Sequence, residues 1–385
     1  MHPLLKILTR GTEQVISEEE LDKLLSSGKK LRIKFGVDPT SANLHLGHAL
    51  SLLKLKQFQD VGHQVLLVIG DFTASIGDPS GRNTTRPLVP KEQILKNAQT
   101  YTEQAFKILD KEQTEIFWNG SWFGRLSAEE LLGLGRRVTV NQLLHRQDFH
   151  DRFTADQSIF LHELFYPLLQ AWDSVMVKAD IEIGGRDQLF NMLLGRDFQK
   201  EEGQNPQVVI TLPILEGLDG SRKMSKSLGN DIGITEPPKE IFGKTMSISD
   251  WLMKRWFLVL FGEEVDPHAN PMEEKKRLAE KIVTLFYGKE EAIKARTEFE
   301  RVFSKKELPE EMPEFCFSQK QMPIVELLVA VGAVKSKSEA RRLISQGGVS
   351  YQGKKVTDVH HSVEIQPDAV LRCGKRFFAR INPSS

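Results

Sequence analysis

Leu31-Arg32-Ile33-Lys34-Phe35-Gly36-Val37 mixes β-branched and aromatic positions and stops at Asp38-Pro39-Thr40, where proline ends a strand's supply of backbone donors. Residues 65–72, VLLVIGDF, form a continuous apolar run of the kind required of a parallel strand covered on both faces. Between the two, Ala49, Leu50, Leu52, Leu53, Leu55, Phe58 and Val61 recur at helical spacing, and Gly62 stands where a helix would end. These three segments predict a β-α-β unit. VVITLPIL at 208–215 reads as a further buried strand, so the expectation for residues 1–230 is a doubly wound α/β domain built on a parallel sheet.

Outward from this domain the pattern changes. Residues 231–303 turn helical and charged, without strand runs, and read as a separate α-helical domain. Residues 304–321 carry two prolines and a run of acids, a linker composition. Residues 322–385 read as a small α+β unit: Ser336 and Glu339 form a capping-box pattern ahead of ARRLISQG, and VSYQGKKV reads as two short strands about a Gln352-Gly353 turn.

At ~150 residues per domain, 385 residues make two to three domains. Lys+Arg at 52 against Asp+Glu at 52 excludes a uniformly basic nucleic-acid-coating chain and an acidic disordered one. The balance hides an asymmetry: residues 322–385 hold five Lys and five Arg against five acids, a surplus of +5, which leaves −5 for the remainder. No window approaches the ~18 uninterrupted apolar residues of a membrane span. Two cysteines, Cys316 and Cys373, and an N-terminus without a signal-peptide pattern lead to the expectation of a cytoplasmic protein.

Two short motifs carry chemistry. His45-Leu46-Gly47-His48 falls at the predicted helix start, where unpaired N–H groups favour an anion; the rings, one turn apart, can face the same side, and Gly47 leaves bare backbone for a flat base. A metal site is the rival reading, but no Cys or acid lies at ligand spacing. Lys223-Met224-Ser225-Lys226-Ser227 follows a buried strand and a Gly-Leu-Asp-Gly turn, placing two ammonium groups where a departing pyrophosphate could be met. Taken alone, a KxxK loop is a solvated charge cluster as readily as a site.

Together the two motifs resemble the signature pair of class I aminoacyl-tRNA synthetases. With Gly36-Val37-Asp38-Pro39-Thr40, Ile76-Gly77-Asp78-Pro79-Ser80-Gly81, Tyr166-Pro167-Leu168-Leu169-Gln170-Ala171-Trp172-Asp173 and Gly184-Gly185-Arg186-Asp187-Gln188, the chain resembles the bacterial tyrosyl-tRNA synthetases, in a subgroup with Lys34. The likeness covers 31–230 and, in a tail ending LRCGKRFFARI that is similar to an S4-like RNA-binding domain, 322–382. It implies a Rossmann-like, HUP-type catalytic domain with a connective, dimerising insertion near 110–165, and an anticodon-side role for 231–303.

The resemblance also implies roles. Tyrosine and ATP would form tyrosyl-adenylate, and the tyrosyl group would pass to the 3′ end of tRNA(Tyr), with Mg2+ accompanying ATP, no protein-bound metal, and a homodimer. His45, His48, Thr40, Lys223 and Lys226 would stabilise the transferring phosphates, and Gly36, Asp38, Gly47, Asp187, Met224 and Ser225 would complete the ATP site. Asp78, Tyr166 and Gln170 would hold the α-ammonium group, Asp173 would accept from the phenol, and Gln188 and Lys34 would join the tyrosine site. No general base is required, because the attacking carboxylate is already an anion. Ala74, Ser75, Trp172 and Arg186 depart from the usual pattern and are expected to alter the pocket wall. Lys335, Lys337, Arg341, Arg342, Lys354, Lys355, Arg372, Lys375 and Arg376 would grip the RNA backbone. The competing accounts are a non-enzymatic RNA-binding relative, whose mark would be a broken motif, and an enzyme for another aromatic amino acid.

Overall fold

The computed structural model describes residues 1–79, 89–304, 312–374 and 377–384. The chain forms two compact units, Met1–Ala292 and Ile293–Ser385. In the first, β1 (Gln14–Ile16), β2 (Arg32–Val37), β3 (Gln64–Ile69), β4 (Thr114–Trp118), β5 (Ile181–Gly185) and β6 (Val208–Leu212) make one sheet in the order β1-β6-β5-β2-β3-β4. Strands β2 to β6 are parallel, and β1 runs antiparallel along β6. The strand order reverses between β2 and β5, so the crevice beyond the carboxyl ends of these two strands is where such a sheet opens to a ligand.

The predicted β-α-β unit is β2, the Leu46–Asp60 helix and β3. Val65 to Ile69 are at most 1% exposed, as their unbroken apolar run demands. The helix lays Ala49, Leu50, Leu52, Leu55 and Phe58 inward, and Gly62 takes φ +93° in the turn into β3. The Leu161–Met176 helix packs on the Leu189–Glu201 helix through Leu168, Leu169, Ala171, Val175, Leu194 and Phe198.

The expected boundary after residue 230 is not a break between compact units. Helices Pro238–Met246, Asp250–Phe261 and Pro271–Tyr287 belong with the sheet. The chain beyond 230 buries Ile232, Ile234, Phe242, Leu252, Trp256 and Phe257 completely, and Trp256 Nε1 donates to the Glu216 carbonyl at 3.2 Å.

In the second unit, β7 (Glu314–Phe317), β9 (Val349–Tyr351), β10 (Lys354–Val356), β12 (Ala369–Cys373) and β13 (Phe377–Pro383) form a sheet ordered β10-β9-β12-β13-β7, and β8 (Gln321–Pro323) pairs with β11 (Ser362–Glu364). Strand β7 corrects the linker expectation for 304–321. In Glu314-Phe315-Cys316-Phe317 the two phenylalanines alternate with more polar neighbours and pack against this unit's core, so the segment adds an edge strand parallel to β13. Residues 305–311 of that stretch lie outside the described residues. Ser336 Oγ caps the Lys337–Ser345 helix by accepting from Glu339 N–H at 3.2 Å, while the Glu339 carboxylate accepts from Lys335 N–H rather than from the cap residue. Gln352 and Gly353 take φ +48° and +76°, the two left-handed positions of a tight hairpin between β9 and β10.

Candidate active site

The helix after β2 begins with a cap built from histidines. His45 Nδ1 accepts from Gly47 N–H, and His45 N–H donates to His48 Nδ1, both at 3.2 Å, with ring centroids 3.9 Å apart. This is the reciprocal arrangement of a capping box with imidazoles in place of hydroxyl and carboxyl. Because each Nδ1 accepts from the backbone, each ring carries its proton on Nε2 and keeps that N–H as a donor. Burial, helped by the Lys223 ammonium, pushes His45 down to about 4. Burial first, then His45 and Lys223, take His48 to about 3. Both rings are therefore neutral donors at pH 7. A Cβ on Gly47 would stand 3.0 Å from the His45 ring and 3.7 Å from Met224 Cβ, so the second motif reaches the first.

That second motif is held by backbone. Met224 N–H donates to the Leu215 carbonyl at 3.0 Å, and its side chain is 1% exposed. Asn230, which the sequence reading passed over, accepts from Ser225 N–H at 2.8 Å and donates to Asp219 Oδ2 at 2.8 Å and to the Lys223 carbonyl at 3.3 Å. Just beyond, Leu46 N–H donates to Ile232 O at 2.9 Å and Ile234 N–H to Leu44 O at 3.1 Å. The chain leaving the lysine loop is thus stitched to the chain entering the histidine turn. His45, His48 and Lys223 come together; Lys226, exposed, opens a short 3-10 turn at Lys226–Leu228.

At the other end Asp173, 4% exposed, accepts from Trp122 Nε1 at 3.0 Å and Asn119 Nδ2 at 3.2 Å. Burial pushes its carboxyl up to about 7, opposed by Lys34 and these two donors and helped by Asp38. Tyr166 OH donates to Asp38 Oδ2 at 3.0 Å and Thr73 Oγ1 to Asp38 Oδ1 at 2.7 Å, which places Asp38 beside Tyr166. A Cβ on Gly70 would stand 2.1 Å from Asp38 Oδ1, so a side chain there would displace this carboxylate. Asn191 Nδ2 donates to Gln170 Oε1 at 2.7 Å and to Gln188 Oε1 at 3.1 Å, and Gln188 Nε2 donates to Asp78 Oδ2 at 2.9 Å, with Arg146 3.7 Å from Asp78 Oδ1. Asn191 thus joins Gln170 to Gln188, and Gln188 in turn holds the distant Asp78.

One expectation is corrected. Lys34, grouped with the substrate contacts, is fully buried, and its ammonium donates to Gln170 O at 3.0 Å and Ser174 Oγ at 2.7 Å and pairs with Glu182 Oε1 at 2.9 Å. Three N–H bonds meet three protein acceptors, which leaves none for a ligand. Of the departures from pattern, Arg186 pairs with Glu13 at 2.8 Å, the Arg137 guanidinium lies over the Trp172 ring at 5.1 Å, Ala74 is buried, and Ser75 Oγ donates to Phe72 O. Gly36, Thr40 and Asp187 are exposed, Thr40 N–H donating to Asp38 O and Asp187 lying in the Arg186–Gln188 turn at the carboxyl end of β5. Ser80 and Gly81 lie outside the described residues.

In the second unit Lys335, Arg341, Arg342, Lys354 and Lys355 are exposed, while Lys337 pairs with Glu326 at 2.8 Å. Arg372 lies over Phe378, its Nε donating to Gly374 O. Lys375 and Arg376 lie outside the described residues. Among the described residues no helix is long and apolar enough to cross a membrane, and no group of three or more His, Cys, Asp or Glu is placed to hold a metal ion.

Residues 26–304 match the family model for tRNA synthetases class I (W and Y), and residues 304–380 match that for the Tyrosine–tRNA ligase SYY-like C-terminal domain. The chain is 50% identical over 383 residues to a Tyrosine–tRNA ligase of Aquifex aeolicus, covering 98% of each. It is 50% identical over 388 residues to one of Thermotoga maritima, covering 98% of this chain and 96% of the relative. Its fold is similar to that of a C-terminally truncated mitochondrial tyrosyl-tRNA synthetase of Aspergillus nidulans (TM-score 0.65, 21% identity, 78% of this chain and 93% of the other). It is also similar to that of a tyrosyl-tRNA synthetase of Archaeoglobus fulgidus complexed with L-tyrosine (TM-score 0.61, 24% identity, 76% and 98%). With half its residues shared along nearly the whole length of such enzymes, and a neutral imidazole cap and a lysine loop meeting beyond its parallel sheet, the chain belongs to the class I tRNA synthetases, among the tyrosine–tRNA ligases.

Proposed function

We propose that this chain activates L-tyrosine with ATP and transfers the tyrosyl group to the 3′ end of tRNA(Tyr). The observation that carries the reading is a site with two unlike ends: a buried carboxylate, Asp173, held by neutral donors, and the His45, His48 and Lys223 group at a helix start. A phenol O–H donates to the first; phosphate oxygens accept from the second. In the activating step an oxygen of the tyrosine carboxylate attacks the α-phosphorus of ATP, the bond to the β-phosphate oxygen breaks, and pyrophosphate leaves with its Mg2+. The Nε2–H groups of His45 and His48 donate to the phosphates, and Lys223 and Lys226 neutralise the charge that builds on the leaving group. Asp78, Tyr166, Gln170 and Gln188 orient the amino acid, and Asp187 takes the ribose. In the second step the terminal adenosine hydroxyl attacks the tyrosyl carbonyl and AMP departs.

The same reading assigns 1–230 to catalysis, 231–303 to the anticodon side of the tRNA and 322–385 to a backbone grip by its exposed basic residues. It places the protein in the cytoplasm as a homodimer joined through 110–165. Leu132, Val140, Phe153, Phe160 and Leu161 are all exposed in that segment or next to it, which supports an apolar interface there. Amino-acid-dependent exchange of labelled pyrophosphate into ATP, run with tyrosine, tryptophan and phenylalanine in turn, tests the activity. Exchange with tyrosine alone is expected; silence with tyrosine overturns the reading. Light scattering is expected to return the mass of two chains.

A further inference from the structure

A buried ion pair lies directly behind the phenol-accepting carboxylate and makes no use of the substrate. Lys34 on β2 reaches across to Gln170 O and Ser174 Oγ on the Leu161–Met176 helix and to Glu182 on β5. Glu182, 1% exposed, also accepts from Ser174 Oγ at 3.1 Å, Gln170 Nε2 at 3.3 Å and Gln207 Nε2. Gln170 and Ser174 bracket Asp173, so the helical turn that presents the carboxylate is pinned to the sheet by Lys34.

The charges about Asp173 can be counted by element. From β2 comes Lys34, from the loop after β2 Asp38, and from β5 Glu182; Asn119, Trp122 and Thr73 offer neutral groups, and the Asp71 carboxylate is engaged by Gly120 N–H at 2.7 Å. Besides burial, Asp38 pushes the Asp173 carboxyl up, and Lys34, itself fully buried and paired with Glu182, opposes it. A carboxylate withdrawn from water keeps its negative charge only beside compensating charge or donors, and two neutral donors do less than an ammonium group.

We propose that Lys34 is a positioning residue that keeps Asp173 ionised and aimed at the phenol, and that its pair with Glu182 sets the pH range over which tyrosine is accepted. This rests on the reading of Asp173 given above. Lys34 thereby serves specificity without touching the amino acid.

The test is the pH dependence of kcat/KM for tyrosine in pyrophosphate exchange between about pH 6 and 9, with the profile for ATP as a companion. With Asp173 near 7, the unaltered enzyme is expected to lose about fourfold between pH 8.5 and 6.5. Lys34→Met moves this acid limb upward; a limb one unit higher makes the loss about 25-fold. Glu182→Gln, which leaves Lys34 less neutralised, moves the limb downward. Lys34→Met with Glu182→Gln removes the pair without stranding a buried charge and moves the limb upward by less than Lys34→Met alone. If Lys34→Met does not fold, the double variant against Glu182→Gln decides the matter. A limb at the same pH in all folded variants, a uniform rise in KM at every pH, or an equal displacement of the ATP profile overturns the inference. Absence of tyrosine-dependent exchange in the unaltered enzyme instead removes the functional reading beneath it.

Discussion

The two ends of the site solve opposite electrostatic problems. Under the proposed function, the phosphate end meets a highly charged ligand with neutral, half-buried imidazoles whose Nδ1 atoms are occupied by backbone, and with the exposed Lys223 beside them. On the same proposal, the phenol end meets a neutral group with a buried carboxylate backed by the buried Lys34–Glu182 pair. A polyanion brings its own field and needs fixed donors, whereas a phenol brings only one polar group and needs a protein charge to recognise it.

This difference can be broken most sharply at Asp173. Asp173→Asn is expected to lower kcat/KM for tyrosine on the order of 10³-fold, because an amide cannot serve the phenol as the carboxylate does. The same change should stabilise the fold. Burial raises the Asp173 carboxyl from its usual 3.8 to about 7, so the folded state holds the proton more tightly than the unfolded chain, and ionisation destabilises the protein as pH climbs through that interval. The gain in Tm over the unaltered protein should be present at pH 8, corresponding to roughly 1–4 kcal/mol, and absent at pH 4. Thermal melts at the two values check this.

At the phosphate end, His48→Ala and Lys226→Ala are each expected to cut kcat for activation about 10²-fold while the KM for tyrosine stays nearly constant, since their contacts tighten as charge moves onto the phosphates. A defect confined to tyrosine affinity would erase the distinction between the ends. The pH profiles sharpen it further. His45 near 4 and His48 near 3 stay neutral across pH 5–8, so kcat/KM for ATP should be flat there while that for tyrosine falls below about 7. Outside both ends, Arg341→Ala with Arg342→Ala should weaken tRNA charging about tenfold and lower its salt slope by about 2, with pyrophosphate exchange unaltered. The smallest effect is expected for Asn230→Ala, which frees the Ser225 N–H and the Lys223 carbonyl: a few-fold loss in kcat and about 1 kcal/mol of stability, read from exchange kinetics and urea melts.

What the sequence disclosed and what it hid follow from how each feature is encoded. The β2-helix-β3 unit was legible because burial on both faces writes itself as an unbroken apolar run, and a helix between as 3.6-residue spacing. The two motifs were legible as chemistry in short contiguous strings. Strand β7 was obscured by prolines and acids just upstream of an alternating Glu314–Phe317. Asn119 and Trp122 sit in WNGSWF, a stretch with neither periodicity nor a motif, and their role exists only because β4 ends beside the Asp173 helix. Lys34 was misplaced because a lysine in a strand carries no sign of the Glu182 that neutralises it nearly 150 residues on. Tertiary partners, absent from any local window, account for these gaps.

The paired backbone hydrogen bonds between Leu44–Leu46 and Ile232–Ile234 give the fold an architectural freedom. Polypeptide can be lengthened in a surface turn such as 203–206, far along the excursion that separates the two signatures, without altering how they meet. A fluorescent or affinity module inserted there should leave adenylate formation intact, whereas a single extra residue within 228–231 would shift the junction and disable it.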